Sequence, residues 1–505
     1  MKKLIVPENL EINELIELYP TDEVVGFHKD KVYFVCDAIL RESQKLNDNN
    51  LHPEKKERYF VPLNTKILKK VLATNSYKSI LRWMIEAGII LVDGSWKNDL
   101  VSQGYKFTEY FMDADFAWKT VTCQTILKKN LDEQFEKKIH FLPAVYNRLQ
   151  KWFDPNRLKI DYERAIEIID YMEHDEIMWA NESIEKIRKA KFHARQNRCK
   201  VETFNAGDFH FSQDGFGYRI HSSITQMPKF LRSLITYDGE PLAEIDLSCS
   251  QLFFSTFLLD YRHWKTKKFL YYKKYLDNIW YRILVISNSN SIEYSNTIMC
   301  LHLLHESFKS IDNQSFTHQS TTTNFLKNCC SGQLYESIVD ELDRKKYFPD
   351  FMPFKEKRNR VKSLLLDQLF ADPNLPEHKK LFCPEIRPII DSFKALYPDV
   401  MLIYEKIKKG QQKDRYKDLC RLFQRIESVA MQGFVCKRMN KEYPFIPLFT
   451  LHDCLITTEK NLSVIRQIMN EEIAGYMGYA PTMKAKLWSE YEELIPEELK
   501  LRKAA

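Results

Sequence analysis

The stretch GEPLAEIDLSCSQLFFSTFLL, residues 239–259, decides how the chain is read. Leu242 to Leu247 is an alternating segment that closes on Asp246. Small polar residues follow, Ser248, Cys249 and Ser250, and an apolar run begins at Leu252. Alternation giving way to a continuous apolar run predicts a strand that stops at a carboxylate and turns into a helix. The second deciding stretch is PFIPLFTLHDCLITT, residues 444–458. Two apolar, β-branched-rich segments flank a polar tip at His452, Asp453 and Cys454, which predicts a β-hairpin. A single strand-end Asp is most often a cap or turn residue. The pair Asp246 and Asp453 is expected to come together in space.

The chain has 505 residues, enough for about two to four domains. Hydrophobic residues make up 44% and aromatics 13%, so large cores are available. The 75 basic and 69 acidic residues leave a net charge of only +6, so contact with a polyanion has to rest on local clusters. Glycines number 13; there is no GxxxxGK[ST], and Gly215-x-Gly217 is not a dinucleotide fingerprint. Nucleotides are therefore not expected in a glycine-rich phosphate cradle. The 11 cysteines are scattered without a CxxC pair, which suits a reducing compartment rather than a disulfide framework or zinc ribbon. Cys300, His302 and His305 lie on an apolar helical run and read as helix packing, since a second ligand pair is missing. No signal peptide or membrane span is expected, so the reading is a cytoplasmic protein that binds no membrane.

Along the chain, residues 1–57 read as a helical segment ending in a solvated linker. Residues 58–110 read as helix, helix and hairpin, from Pro62 to Leu72, Ser76 to Ala87, and Ile89 to Thr108. That order resembles a winged helix, and a helical protein-interaction module is the alternative. Lys78 and Arg82 are its obvious phosphate contacts. Residues 111–205 read as a long helical region. Within it, IEKIRKAKFHARQNRCK (184–200) carries seven Lys or Arg against one acid. A solvated face is the bland reading, and a helix contacting a nucleic-acid backbone is the favoured one. YRHWKTKKFLYYKKY (261–275) interleaves aromatics with bases and reads equally as a base-stacking element or an outer amphipathic helix.

Joining a nucleotide to a 3′-hydroxyl needs an activated oxygen nucleophile and neutralised phosphates, which two Mg²⁺ ions about 4 Å apart supply. Mg²⁺ takes carboxylates plus substrate oxygens, so two aspartates from different strand ends are the minimal protein contribution. In RNRVKSLLLDQLF (358–370), Arg358 and Lys362 are spaced i, i+4 on one helix face, with Leu366 and Phe370 continuing the row. Arg grips phosphate oxygens bidentately and Lys is a mobile cation suited to pyrophosphate.

The region from about 215 to 490 resembles the polymerase domain of family A DNA polymerases and the related single-subunit phage RNA polymerases. GYRIHSSITQMPKFLR (217–232) is similar to the stretch ahead of the first catalytic strand, and its minor-groove-contacting Arg falls on Arg219. DLSCSQ (246–251) resembles motif A, RNRVKSLLLDQLF resembles motif B, and LHDC (451–454) resembles motif C. MQG (431–433) is similar to a helix just upstream of motif C, where Gln432 would contact primer–template. The resemblance implies a helix-rich α+β right-hand polymerase: residues 206–260 and 401–505 as palm, 261–400 as fingers, 111–205 as thumb. Asp246 and Asp453 would be the catalytic carboxylates holding two Mg²⁺, with Mn²⁺ as a substitute. His452 would brace the active-site hairpin or primer end, and Arg358 and Lys362 would hold the triphosphate. Leu366 would lie near the incoming base and sugar.

Four positions depart from the family, one of them Ala371, which stands where Gly usually follows motif B. Phe370 stands for Tyr, Cys454 for the Glu of DNA polymerases, and Gln251 where DNA enzymes carry Glu and RNA enzymes Gly. Gln251 and Phe370 would gate the sugar by bulk, which favours deoxynucleotides. The implied activity is primer extension with dNTPs, without proofreading, on a primer–template partner, in a phage or mobile element with its replication proteins. The alternatives are an RNA polymerase or primase on the same scaffold, and a non-catalytic DNA-binding initiator or regulator.

Overall fold

The structure, a computed structural model, describes residues 3–21, 26–44, 60–73, 76–93, 103–128, 139–180, 183–259, 321–372, 386–408 and 416–502. The 261–275 stretch, Cys300, His302, His305 and most of the expected linker lie outside the described residues. The protein is a helix-rich α+β chain with two hydrophobic cores.

The first core gathers residues from Leu4 to Ile126. Strand β1 (Lys3–Pro7) pairs antiparallel with β5 (Phe116–Thr120), Lys3 opposite Thr120 and Pro7 opposite Phe116. Between them, β2 (Val61–Pro62), β3 (Ile90–Val92) and β4 (Gly104–Phe107) form a three-stranded sheet in the order β2-β4-β3. Helices Thr65–Leu72 and Tyr77–Glu86 precede the β3–β4 pair, so the expected order of helix, helix and hairpin is present. Asn64 caps the first helix, accepting from the Lys66 amide at 2.9 Å. Leu68, Val71, Leu72, Ile80, Leu81 and Met84 point inward and bury completely or nearly so.

Two expectations change here. Residues 3–7 are a strand, not part of a helical segment; its short apolar run carries no alternation to tell strand from helix. Residues 116–126 belong to the first core rather than to a helical region starting at 111, because β5 completes the sheet that β1 begins.

The second core runs from Phe141 to Leu499. Its sheet has the order β11-β12-β10-β9-β6, with β13 also pairing β10. These strands are β6 (Leu158–Ile160), β9 (Ile235–Tyr237), β10 (Glu240–Leu247), β11 (Phe449–Leu451), β12 (Cys454–Thr458) and β13 (Met483–Leu487). A separate pair, β7 (Phe211–Gln213) with β8 (Ile220–Ser222), flanks it. Strand β10 is central and buries Leu242, Ala243, Glu244 and Ile245 in succession, as a strand covered on both faces must. Helix Ser250–Leu259 leaves its end and is buried along nearly its whole length. Helices Leu334–Arg344, Phe354–Phe370 and Ile386–Leu396 pack on one another beyond it.

The basic helix Ile184–Asn205 packs against helix Tyr162–Met178 and bridges the two cores. Several of its cations are tied to acids or carbonyls of the same molecule. Arg198 pairs with Asp170 at 2.7 Å and with Glu173, and Lys191 pairs with Asp113 at 2.9 Å. Arg195 is buried, lies over the Phe107 and Phe116 rings, and donates to the Met112 and Ala114 carbonyls. The C-terminal half of the helix is a connector, while Lys186, Arg188 and Lys189 at its N-terminal half stay exposed. Among the described residues no helix is long and apolar enough to cross a membrane.

Candidate active site

Strand β10 surfaces at Asp246 after four buried residues. The chain then reverses through Ser248 and Cys249, where Cys249 adopts φ +54°, and enters helix Ser250–Leu259. The predicted hairpin is β11–β12, closed by Leu451 opposite Cys454 with His452 and Asp453 between them. His452 has φ +59° while Asp453 does not turn positive, the pattern of a hairpin turn that usually places glycine first. Tyr218, beside Arg219, has φ +63°. Non-glycine residues held at positive φ cost about 1–3 kcal/mol each and concentrate at functional sites. Three of them, Tyr218, Cys249 and His452, lie on the turns that carry the candidate site.

The register brings the carboxylates together. Ile245 pairs with Leu455 across β10 and β12, so one further step sets Asp246 level with Cys454, next to Asp453. On the other side Asp246 pairs with Lys484 of β13. Asp246 is reachable by water yet enclosed by strands and helix on the wider scale that governs desolvation. Burial pushes its carboxyl up to about 7, Asp453 adds like-charge repulsion, and Lys362 and Lys229 pull the other way. Neither aspartate has a hydrogen bond or an ion pair among the described residues. Behind them, Glu244 is buried on the same strand face and accepts from Trp488 Nε1 at 2.8 Å and Tyr491 OH at 2.6 Å. Those bonds hold β10 at a fixed height beneath the site.

Helix Phe354–Phe370 faces this turn. Arg358 Nε donates to Glu336 Oε1 at 2.5 Å, and the guanidinium lies 5.5 Å from the Tyr335 ring centroid. Lys362 is exposed, without an ion pair among the described residues, and its charge reaches both Asp246 and Cys249. Leu366 and Phe370 are half-buried against the core. The Phe370 ring packs edge-on to Phe423 at 5.7 Å. Each four-residue step overshoots a turn, so Phe370 lies roughly 120° around the helix from Arg358 rather than on its face. Gln251 is half-buried with its Oε1 lacking a protein partner.

Arg219 makes a two-point ion pair with Glu427, Nε to Oε1 at 3.0 Å and Nη2 to Oε2 at 2.7 Å. Burial raises the Glu427 carboxyl to about 7 although Arg219 pulls it down, and Asp453 adds to the rise. Burial first, then Arg219 and His221, hold the His452 imidazole down at about 4, so it is neutral at pH 7. Its ring meets that of His221 at 5.7 Å. Asp214 organises the turn before Arg219, accepting from the Phe216 and Gly217 amides at 2.8 and 2.6 Å and from His221 Nε2 at 3.0 Å. At Gly217 a Cβ would lie 2.3 Å from Gln424 Oε1, so the turn sits close against helix Lys417–Ser428.

Gln432 lies in a π-helical segment, Val429–Cys436, that continues helix Lys417–Ser428. It is buried, donates to the Tyr218 carbonyl at 2.6 Å and accepts from Gln213 Nε2 at 2.9 Å. Direct contact with primer–template, as the sequence suggested, would require it to leave both partners. Its place is under the Tyr218–Arg219 turn, which it positions.

Sequence reading missed Glu336, Glu427, Lys229 and Lys484. Each is an ordinary charged residue in its own segment, and only helix packing and strand register deliver it to the site. Among the described residues no group of three or more His, Cys, Asp or Glu is placed to hold a metal ion. The donor set nevertheless fits Mg²⁺, which is commonly held by one or two carboxylates with the rest of its shell from substrate phosphates and water. Two unpartnered carboxylates that repel each other ask for a cation. Ser248 Oγ and His452 Nδ1 on the two turns, with Gln251 Oε1 and Glu336 Oε2 on the helices packed there, are buried polar atoms without protein partners among the described residues.

No protein-family model matches the chain, and no curated protein does either. Among solved structures it is similar to the POL domain of Pol1 from M. smegmatis in complex with DNA primer–template and dNTP. The TM-score is 0.40 with 10% identity, over 73% of this chain and 75% of that one.

Proposed function

We propose that the protein is a template-directed nucleotidyltransferase, a compact DNA polymerase that extends a primer 3′-hydroxyl with dNTPs. The observation that carries this reading is the convergence of Asp246 and Asp453 on adjoining strand ends, with Lys362 facing them. In this reading the sheet around β10 is the palm, and the helices from Leu334 to Leu396 belong to the fingers.

Asp246 and Asp453 would hold the divalent cations, which when bound supply Lewis-acid stabilisation to the reacting oxygens. Glu336 occupies Nε of Arg358 and leaves the two Nη groups to grip a triphosphate, a planar donor pair matched to phosphate oxygens. Lys362, free to move, would neutralise charge on the departing pyrophosphate. Neutral His452 would brace the hairpin tip, and Arg219, fixed by Glu427, would present its positive charge to Asp453. Gln251 would crowd the 2′-position of the sugar, which favours deoxynucleotides.

Primer extension over all four combinations of DNA or RNA template with dNTPs or NTPs tests this. The expected result is dNTP incorporation on a primed template, reduced roughly 10³-fold or more by Asp246→Asn or Asp453→Asn, about 4 kcal/mol of barrier. Preferred NTP incorporation without a primer would replace the reading with an RNA polymerase or primase. Full activity in both Asn variants would reject it.

A further inference from the structure

The basic helix that the sequence singles out ties Lys191 and Arg198 to acids and buries Arg195, whereas the two short helices of the first core keep their charge. Lys66, Lys69 and Lys70 on helix Thr65–Leu72, and Lys78 and Arg82 on helix Tyr77–Glu86, are all exposed and make no ion pair with a carboxylate among the described residues. Lys69 lies 5.9 Å over the Tyr77 ring, so the two sets are neighbours. Glu86, one turn beyond Arg82, is the exposed acid of the pair of helices and does not ion-pair with it. Asp93 is buried and bonded to the Gly104 amide at 3.0 Å. In a chain of net charge +6 this is a concentrated basic patch, uncompensated among the described residues.

We infer that this face is a second nucleic-acid site, separate from the candidate active site, which docks the phosphate backbone of double-stranded DNA. Lys66 with Lys70, and Lys78 with Arg82, are i, i+4 pairs with a rise of about 6 Å, so each pair presents two cations side by side to one stretch of phosphate backbone. The apolar residues of both helices point into the core, so nothing is left to enter a bilayer. Tyr77 and Trp83 are buried, so the helices offer no aromatic platform on which unpaired bases could stack. The surface reads charge and shape rather than sequence, and it would hold a duplex whether or not the chain polymerises.

The test is fluorescence polarisation of a blunt, fully paired DNA duplex against the full-length protein over a salt series. Wild type is compared with Lys66→Gln/Lys70→Gln and Lys78→Gln/Arg82→Gln. Each double variant is expected to lower the slope of log K against log salt by about 1.8, two contacts at 0.9 each. Lys66→Arg/Lys70→Arg is expected to keep the wild-type slope, which separates lost charge from lost structure. Extension of a primer–template too short to reach the patch should be unchanged. Unchanged slopes in both Gln variants would overturn the inference, as would a loss confined to single-stranded DNA or to vesicles containing phosphatidylserine.

Discussion

Asp246 is comfortable in its strand only as long as something answers the charge of Asp453. Without a cation its carboxyl titrates near 7, so folding takes up protons between the unfolded value of about 3.9 and that point. The sign follows: the contribution to stability is present below about pH 4 and lost as pH rises through 7. In metal-free buffer, thermal melting should show Asp246→Asn equal to wild type at pH 4 and more stable at pH 8. The gain should be about 1–2 kcal/mol, discounted because the group meets solvent. Mg²⁺ at about 100 times its dissociation constant should add about 2.7 kcal/mol to wild type and little to the variant. The two aspartates were legible because each ends a strand with its own local pattern. Glu427 and Glu336 were not, because their meaning comes from Arg219 and Arg358, which reach them through folding alone.

At the scale of elements, period and length decided what could be read. Strand β10 and the β11–β12 hairpin announce themselves through apolar runs bounded by small or polar residues. β1 and β5 do not, since each finds its partner more than a hundred positions away. The charge run of helix Ile184–Asn205 misled for a related reason: sequence shows the cations but not the acids folded onto them. Lys200 of that helix is half-buried, and burial pulls its ammonium down to about 8, with Cys199 opposing. The charged form is therefore penalised below pH 8, and the penalty fades as pH rises toward the unfolded value of about 10.4. Lys200→Met should stabilise the protein by about 1–2 kcal/mol at pH 7, and chemical denaturation should show the gain disappearing above pH 10.

Over the whole molecule, two cores share one connector. Arg195 fixes it to the first core by stacking on Phe107 and Phe116 and bonding the 112–114 carbonyls. Arg195→Ala should cost about 2–4 kcal/mol, because buried carbonyls lose their donor and two rings lose a face. Calorimetry should then resolve an early transition of the first core ahead of the second. More than one core was expected from a length suited to two to four domains, but the boundary was not, since β5 returns to close the sheet that β1 opens.

On the proposed reading, two carboxylates remote in sequence serve one divalent-cation site. Fe²⁺ substituted for Mg²⁺, with ascorbate and peroxide, cuts the backbone beside wherever the ion sits. Mass spectrometry of the fragments should find paired cuts, one near residues 246–249 and one near 452–454, both suppressed by excess Mg²⁺ and both lost in Asp246→Asn and in Asp453→Asn. Cutting at a single strand end, or cuts at one end that survive neutralisation of the other aspartate, would contradict it.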